Sequence, residues 1–202
     1  MQKDKVVVYI HGLHGSSKEV EDYSYLKDEY DVIGLPYEDG NPWEMGSIIK
    51  DGFKSIVKDY KEVVVIGYSI GAFYTYKFLS DLDIKKAFFI SPVGNMFKLV
   101  SNIMKYNGVT EEELKREKLI KLPNGQLLSY ADYDHLRNYK DNWNVETYIL
   151  YGAKDVLVTR DAIDDFMNNH PNATLLIKED SEHRFRSSEE KEFIKNWILK
   201  NI

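Results

Sequence analysis

Ser69 stands in a pentapeptide, Gly67-Tyr68-Ser69-Ile70-Gly71, whose residue types and spacing are typical of an activated serine nucleophile. The pentapeptide directly follows a short apolar run and directly precedes an apolar helical pattern. Glycines two positions either side of the serine allow a strained backbone and neighbouring elements to approach closely. The following helix would direct its free N–H groups at the serine, where negative charge develops. The pattern predicts that Ser69 is a nucleophile; the alternative is a glycine-bounded turn with a solvated serine.

A histidine is expected to act as general base, because a serine hydroxyl is a poor nucleophile at neutral pH. In an open parallel sheet, reactive groups gather in loops at the carboxyl ends of the strands. Of the five histidines, His183 follows the last strand pattern and precedes the terminal helix, so it is the predicted base. His170 precedes Pro171 at the opposite edge and is predicted to be a surface residue. His135 lies inside an insertion and is predicted to be structural or solvated.

Asp155 is the predicted third member of a catalytic triad, a carboxylate that fixes the imidazole tautomer and stabilises the imidazolium. It stands just beyond an apolar strand pattern, on the same edge of the expected sheet. Three other carboxylates lie within four residues of His183, where they cannot easily approach the imidazole from behind. They are Glu179, Asp180 and Glu182. The loop at residues 91–95, another place where an acid could stand, contains none.

A glycine-rich bend at residues 11–17 directly follows the first strand pattern, on the same edge. Such a bend can direct main-chain N–H groups at a developing oxyanion. The N–H groups of Leu13 and Ile70 are the predicted pair.

The two histidines in this bend have different predicted roles. His11 is predicted to brace the loop by hydrogen bonds, and His14 to line the entrance. His14 and Tyr68, which adjoins the nucleophile, are the predicted substrate contacts. Metal binding by the two histidines is the alternative reading, but no third ligand is evident, so neither a metal nor a cofactor is predicted.

Six short apolar runs without strict polar alternation predict strands that are covered on both faces. They lie at residues 6–10, 32–35, 63–67, 87–90, 145–151 and 173–177. Helical patterns separate most of them, as in the stripe Val20, Tyr23 and Leu26, and Ser187 with Glu190 forms a capping-box pattern before the last helix. The alternation predicts an α/β fold: a doubly wound, mostly parallel six-stranded sheet in a single domain over residues 1–202.

Residues 92–143 interrupt this alternation and are predicted to form a lid over the site. A purely structural insertion is the alternative. Four signals in the segment are an apolar helical pattern at Met96, Val100, Ile103 and Met104, a capping box at Thr110 and Glu113, a turn at Pro123-Asn124-Gly125, and a helix with Tyr130, Tyr133, Leu136 and Tyr139.

Composition excludes several classes of protein. The chain has no cysteine, which excludes thiol catalysis and cysteine-ligated metal sites. Lys and Arg number 27 against 33 Asp and Glu, without a dense basic cluster, so nucleic-acid binding is not expected. No apolar window reaches the length of a membrane span, and the first apolar run is too short for a secretion signal, so a cytoplasmic location is expected.

The pentapeptide around Ser69, the loop that begins His11-Gly12, and the chain order Ser69, Asp155, His183 together resemble the α/β-hydrolase superfamily. The resemblance covers nearly the whole chain, and it implies a reduced, six-stranded form of that fold with a lid insertion. It implies a serine hydrolase that cleaves carboxylic esters through an acyl-enzyme.

A carboxylesterase acting on small to medium apolar acyl or aryl esters is the predicted activity. An aminopeptidase or thioesterase with the same triad is an alternative, and an aminopeptidase would need an acidic residue to bind the substrate amine. The candidates are Glu38, Asp39 and Asp132. A non-catalytic binding protein of the same fold is a further alternative, and the oligomeric state is not predicted.

Overall fold

A computed structural model describes residues 3–38, 40, 42–137 and 142–202. Its elements in chain order are β1 (Lys5–Ile10), a 3-10 helix (Ser17–Leu26), β2 (Asp31–Gly34), α1 (Pro42–Val57), β3 (Glu62–Tyr68), α2 (Ile70–Phe78), β4 (Lys86–Ile90), α3 (Met96–Tyr106), α4 (Glu111–Glu117), β5 (Leu119–Lys121), β6 (Leu127–Ser129), α5 (Tyr130–Arg137), β7 (Glu146–Gly152), α6 (Arg160–Asn169), β8 (Ala173–Lys178) and α7 (Ser188–Asn201).

Six strands form one sheet in the order β2-β1-β3-β4-β7-β8, and every neighbouring pair is parallel. All six predicted strands are present, so the predicted parallel sheet is confirmed. The register pairs Ile10 with Gly67, Tyr68 with Ile90, and Ile90 with Leu150. The carboxyl ends of β1, β3, β4 and β7 therefore meet at one edge, which places the loops that follow them side by side.

The sheet is apolar on both faces, as continuous strand patterns require. Strand β1 is an example, since Val6, Val7, Val8 and Ile10 are all fully buried. Helix α7 covers one face, where the Trp197 ring meets Phe88 edge-on at 5.4 Å between centroids. These apolar contacts fix the sheet, and with it the relative positions of the loops at its carboxyl edge.

Two helix predictions have different outcomes. The capping box of α7 is confirmed, because the Ser187 side chain accepts a hydrogen bond from Glu190 N–H and the Glu190 side chain accepts one from Ser187 N–H. The stripe with Val20 and Leu26 is buried as predicted, but its segment is a 3-10 helix with a kink at Tyr23. Spacing alone does not distinguish the two helix types over so short a segment.

Asn95–Asp141 forms a second compact unit, separate from the unit of Met1–Gly94 and Asn142–Ile202 that contains the sheet. It has an apolar cluster of its own, whose buried members are Met104, Leu114, Leu122, Leu128 and Tyr133. The helical patterns predicted there correspond to α3, α4 and α5; the predicted Tyr139 lies outside the described residues. The antiparallel pair β5-β6 around the predicted turn was missed, because each strand has only three residues. The role of this unit as a lid stays a prediction.

His170 is not a surface residue, contrary to the prediction. It is 5% exposed and its ring stacks on Phe166 at 3.9 Å between centroids. Its Nδ1 lies 2.7 Å from the carbonyl oxygen of Phe166, one turn earlier in α6. The apolar ring faces and the local carbonyl make burial favourable for this histidine.

No helix in the described part of the chain has the length and apolar character needed to cross a membrane.

Candidate active site

Ser69 lies at the turn between β3 and α2, in a backbone conformation that non-glycine residues rarely adopt. Its φ is 51° and its ψ is −115°. Its N–H donates a hydrogen bond to the carbonyl oxygen of Ile90 (2.9 Å), and its carbonyl oxygen accepts one from Val93 N–H (3.2 Å). Residues strained in this way persist only where surrounding contacts hold them. Strand β4 and the loop after it provide those contacts.

Close main-chain approach explains both glycines around Ser69. A Cβ on Gly71 would lie 2.1 Å from the carbonyl oxygen of Ile10, and a Cβ on Gly67 would lie 2.8 Å from the Cα of Ala72. Main-chain atoms cannot rotate aside as a flexible side chain can, so neither position accommodates a larger residue. The turn therefore packs directly against the end of β1.

The imidazole of His183 lies between Ser69 and Asp155. Its Nε2 is 2.9 Å from Ser69 Oγ, and its Nδ1 is 2.6 Å from Asp155 Oδ2. A carboxylate can only accept, so Nδ1 carries the proton and Nε2 is left to accept from the Ser69 hydroxyl. A serine in this arrangement can transfer its proton to the histidine. The structure thus brings together the three residues predicted as a triad, from loops up to 114 residues apart in sequence.

Asp155 is oriented by three hydrogen bonds. Besides its contact with His183, its Oδ1 accepts from the main-chain N–H groups of Leu157 (2.8 Å) and Val158 (2.9 Å). The Asp155 side chain is fully excluded from solvent and that of His183 is only 10% exposed. Exclusion of water strengthens the attraction between this carboxylate and a protonated imidazole.

The loop that carries His183 packs directly on the end of β7. A Cβ on Gly152 would lie 2.4 Å from the carbonyl oxygen of Ser181, and Lys154 N–H donates to that same carbonyl (2.9 Å). The Ser181 hydroxyl donates to Glu190 Oε1 (2.7 Å). The acid loop and the histidine loop are therefore joined through main-chain contacts as well as through the triad.

Glu190 links the start of α7 to the histidine loop. Its Oε2 accepts from the N–H groups of Arg186 and Ser187, both at 3.0 Å, while Oε1 accepts from Ser181. Burial acts to raise the pKa of Glu190, but the hydrogen bonds from Ser187, Ser181 and Arg186 outweigh it and hold that pKa below its usual range. The carboxylate is thus ionised at neutral pH. Sequence reasoning identified Glu190 only as a capping residue.

The main chain of His183 is held by two hydroxyl groups that sequence reasoning did not identify for this role. Ser91 Oγ donates to the His183 carbonyl oxygen at 2.7 Å, and the Tyr68 hydroxyl donates to it at 3.2 Å. The Tyr68 hydroxyl also accepts from Phe185 N–H (3.1 Å). Burial raises the pKa of Tyr68 to about 12, so the hydroxyl keeps its proton. The Tyr68 hydroxyl faces the histidine loop, and the contact of Tyr68 with substrate stays a prediction.

The predicted oxyanion loop lies against the nucleophile. A Cβ on Gly12 would lie 3.2 Å from the Cβ of Ser69, and Gly15 N–H closes a turn by donating to the Gly12 carbonyl (3.0 Å). Leu13 follows Gly12 in this turn. Ile70 is the first residue of α2, so its N–H has no acceptor within the helix.

His11 braces this loop. It is 2% exposed, and its ring stacks on Tyr37 with 3.8 Å between centroids. Its Nδ1 lies 2.8 Å from the Gly12 carbonyl oxygen, and its Nε2 lies 3.3 Å from that of Tyr37. The Tyr37 hydroxyl donates in return to the His11 carbonyl. These contacts hold the loop against the segment after β2.

The other predicted residues have different positions. His14 is exposed on the same loop, with a φ of 61°, and its contact with substrate stays a prediction. Glu38 is exposed, Asp39 lies outside the described residues, and Asp132 belongs to the second unit. Within the described ranges, no group of three or more His, Asp or Glu side chains has the spacing of a metal site.

No protein-family model matches the chain, and no curated protein has significant sequence similarity to it. Solved structures, however, are similar to it in fold. One is alpha/beta hydrolase domain-containing protein 10 from mouse, with a TM-score of 0.74 and 14% identity over 99% of this chain and 90% of that one. Est1E from Butyrivibrio proteoclasticus has a TM-score of 0.71 and 16% identity over 99% and 89%. The esterase Pf2001 from Pyrococcus furiosus has a TM-score of 0.66 and 21% identity over 98% and 81%.

The chain has the α/β-hydrolase fold. The fold prediction made from the pentapeptide and the strand patterns is therefore confirmed. In the α/β-hydrolase fold the nucleophile follows a central strand on a sharp turn, and the acid and the histidine come later in the chain. Ser69, Asp155 and His183 occupy positions in that order, after β3, β7 and β8.

Proposed function

We propose that the protein is a serine hydrolase that cleaves carboxylic esters, with Ser69 as nucleophile, His183 as general base and Asp155 as the orienting acid. The observation that carries this proposal is the continuous hydrogen-bond chain from Ser69 Oγ through His183 to Asp155, with distances of 2.9 and 2.6 Å. The similarity to structures named as esterases supports a hydrolytic reaction.

In the acylation step, Ser69 Oγ attacks the ester carbonyl carbon while its proton passes to His183 Nε2. The imidazolium that forms is stabilised by Asp155. Collapse of the tetrahedral intermediate breaks the bond to the leaving alcohol, whose oxygen takes the proton from Nε2. Water then gives a proton to Nε2, attacks the acyl-enzyme and releases the acid, and Ser69 recovers its proton.

The N–H groups of Leu13 and Ile70 are proposed to bind the oxyanion during both steps. Ile70 N–H points from the start of α2, where the helix dipole also favours negative charge. One donor of this kind contributes on the order of 10² to 10³ in rate. The contact of Gly12 with Ser69 supports the assignment of Leu13, because it holds the loop beside the nucleophile.

A small to medium apolar acyl or aryl group is the proposed acyl part of the substrate. Three exposed apolar side chains belong to loops that carry the site: Leu13, Val156 and Leu157, with exposures of 47%, 88% and 55%. Apolar side chains exposed beside a polar site are typical of ligand-binding surfaces. Est1E, a structural neighbour, is also solved with ferulic acid bound, which supports an aryl group as one option.

Labelling with a fluorophosphonate, read by intact mass, tests the nucleophile. A single adduct is expected on the wild type, and none on folded Ser69→Ala. Ser55→Ala, which removes an exposed serine of α1, is the matched control and should label as the wild type does. A folded wild type without an adduct would contradict the proposal and favour a binding protein of the same fold.

The leaving group is tested by comparing aryl esters, thioesters and amino-acid arylamides that share one acyl group. Faster cleavage of the ester is the expected result. Preference for the arylamide would favour the aminopeptidase alternative, and preference for the thioester the thioesterase alternative.

The second unit, Asn95–Asp141, is proposed to be a lid. The chain leaves the sheet for this unit soon after β4, at the edge that carries Ser69, which supports the proposal. Hydrogen exchange of its peptides should be slower in a long-chain alkyl fluorophosphonate adduct than in a methyl adduct. Equal exchange in both adducts would argue for a purely structural insertion.

A further inference from the structure

The carbonyl oxygen of His183 is the meeting point of two hydroxyl groups from neighbouring strands. Ser91 directly follows β4, and Tyr68 is the last residue of β3. Their hydroxyls donate to this one oxygen at 2.7 and 3.2 Å, which uses both of its lone pairs. Because the Tyr68 hydroxyl also accepts from Phe185 N–H, it holds the loop at two places.

Ser91 has an unusual backbone for a buried residue. It is fully buried and its φ is 45°, a region in which glycine is favoured. Its N–H donates to the Leu150 carbonyl (2.8 Å), which extends the pairing of β4 with β7 by one residue. The left-handed conformation costs free energy in a non-glycine residue. Glycine would avoid this cost, but it could not supply the hydroxyl that reaches His183.

The position of Ser91 in the sheet gives this contact its importance. Strand β4 lies between β3, which carries the nucleophile, and β7, which carries the acid. Ser91 therefore stands between the two groups that His183 must reach at the same time. The histidine loop itself has no helix or strand from Glu179 to Ser187, so its main chain depends on such contacts.

We propose that Ser91 and Tyr68 are positioning residues that set the His183 imidazole by holding its main-chain carbonyl. The inference rests on the proposed serine hydrolase activity. Neither hydroxyl takes part in proton transfer. Their function is to keep Nε2 within reach of Ser69 while Nδ1 stays on Asp155. A displacement of about 1 Å at a reacting group can cost on the order of 10²-fold in rate.

Two variants remove the hydroxyls with little other change. Ser91→Gly keeps a permitted left-handed backbone, and Tyr68→Phe keeps the ring. The maximal rate of inactivation by a fluorophosphonate, kinact, should fall by about 10- to 100-fold in each, with the apparent binding constant KI little changed. The double variant should lose less than the product of the two single effects, because both hydroxyls act on one carbonyl.

Tyr30→Phe is the matched control. The Tyr30 ring is also buried, and its hydroxyl donates to Glu62 Oε1 (3.0 Å) at the start of β3, the end of that strand opposite to Ser69. It should lose a similar amount of thermal stability as Tyr68→Phe while kinact changes less than about twofold. This comparison separates a general loss of packing from displacement of His183.

The outcomes are distinguishable. The first outcome is that the wild type labels and that the folded Ser91→Gly and Tyr68→Phe variants have kinact values within about twofold of the wild-type value. This outcome would overturn the inference and leave the proposed function standing. An equal loss of kinact in Tyr30→Phe would overturn the inference as well, since the effect would then be general. If Ser91→Gly does not fold, the comparison of Tyr68→Phe with Tyr30→Phe still decides. A folded wild type that does not label would remove the proposed function and this inference together.

Discussion

Replacing Asp155 by asparagine is expected to abolish most of the activity of Ser69 while leaving the fold intact. Three N–H donors point at the carboxylate: Nδ1 of His183 at 2.6 Å, Leu157 at 2.8 Å and Val158 at 2.9 Å. An asparagine amide has only one acceptor oxygen. Because both main-chain donors converge on the Oδ1 position, the amide oxygen should take that position, and the amide nitrogen should then face the imidazole.

This orientation reverses the tautomer of His183. With an amide N–H facing it, Nδ1 must accept, so the imidazole proton moves to Nε2 and that nitrogen can no longer take the proton of Ser69. A wrong tautomer of this kind lowers the rate by about 10⁴-fold in a serine protease triad, which is about 5.4 kcal/mol of barrier. The two main-chain hydrogen bonds persist, so a large loss of unfolding free energy is not expected.

The assay is the second-order rate constant of fluorophosphonate labelling at neutral pH, followed by intact mass, with urea unfolding measured in parallel. Asp180→Asn is the matched control, since the Asp180 side chain is 86% exposed and pairs with Lys154 at the surface. It should label at the wild-type rate. Nitrogen-15 NMR of histidine-labelled protein reports which ring nitrogen of His183 carries the proton.

A folded Asp155→Asn variant that labels within about tenfold of the wild type would refute the reasoning, because the tautomer would then not depend on this carboxylate. Retention of the Nδ1 proton in the NMR spectrum would refute the tautomer step even if the rate fell.

Three further changes have expected outcomes. Gly71→Ala should destabilise the protein by about 3 kcal/mol or more in thermal unfolding, because the added Cβ would overlap the carbonyl oxygen of Ile10. Gly52→Ala is the control and should be nearly neutral, because its Cβ would meet a side-chain methyl of Leu35 at 3.0 Å. Glu190→Gln should cost about 1–2 kcal/mol at pH 7 by urea unfolding, because a neutral amide with one acceptor oxygen replaces a charged carboxylate that accepts hydrogen bonds on both oxygens. Since the folded pKa of Glu190 is depressed, the wild-type advantage is fully present above the unfolded pKa of about 4.3 and should be lost as the pH falls through the folded pKa. An advantage that stays constant as the pH is lowered through this range would contradict this. Leu114→Ala, at a fully buried position, should lower the unfolding free energy of the second unit by about 2–5 kcal/mol and speed hydrogen exchange at residues 95–141. An equal increase of exchange in β3 would show instead that the two units unfold together.

The sheet could be predicted from sequence because a strand covered on both faces carries an uninterrupted apolar run, as at Val6–Ile10. The pentapeptide around Ser69 was equally informative, since the glycine requirement is local. Features that depend on contacts distant in sequence were missed or misread. His170 is buried because its ring lies against Tyr76 of α2, 94 residues earlier, with 6.2 Å between centroids, as well as on the nearby Phe166. Nothing in the isolated sequence distinguishes it from an exposed loop histidine.

The sequence by itself determined the α/β alternation, the chain order Ser69, Asp155, His183 and the expected edge of the sheet, because each depends on periodicity or on strand-to-loop connections. Only the tertiary structure decided which groups hold the histidine loop. Ser91 stands where sequence reasoning looked for an acid and found none, and its hydroxyl reaches a carbonyl 92 residues away. The sheet brings these groups together: hydrogen bonds between residues so far apart are set by strand order and register, which local sequence does not encode.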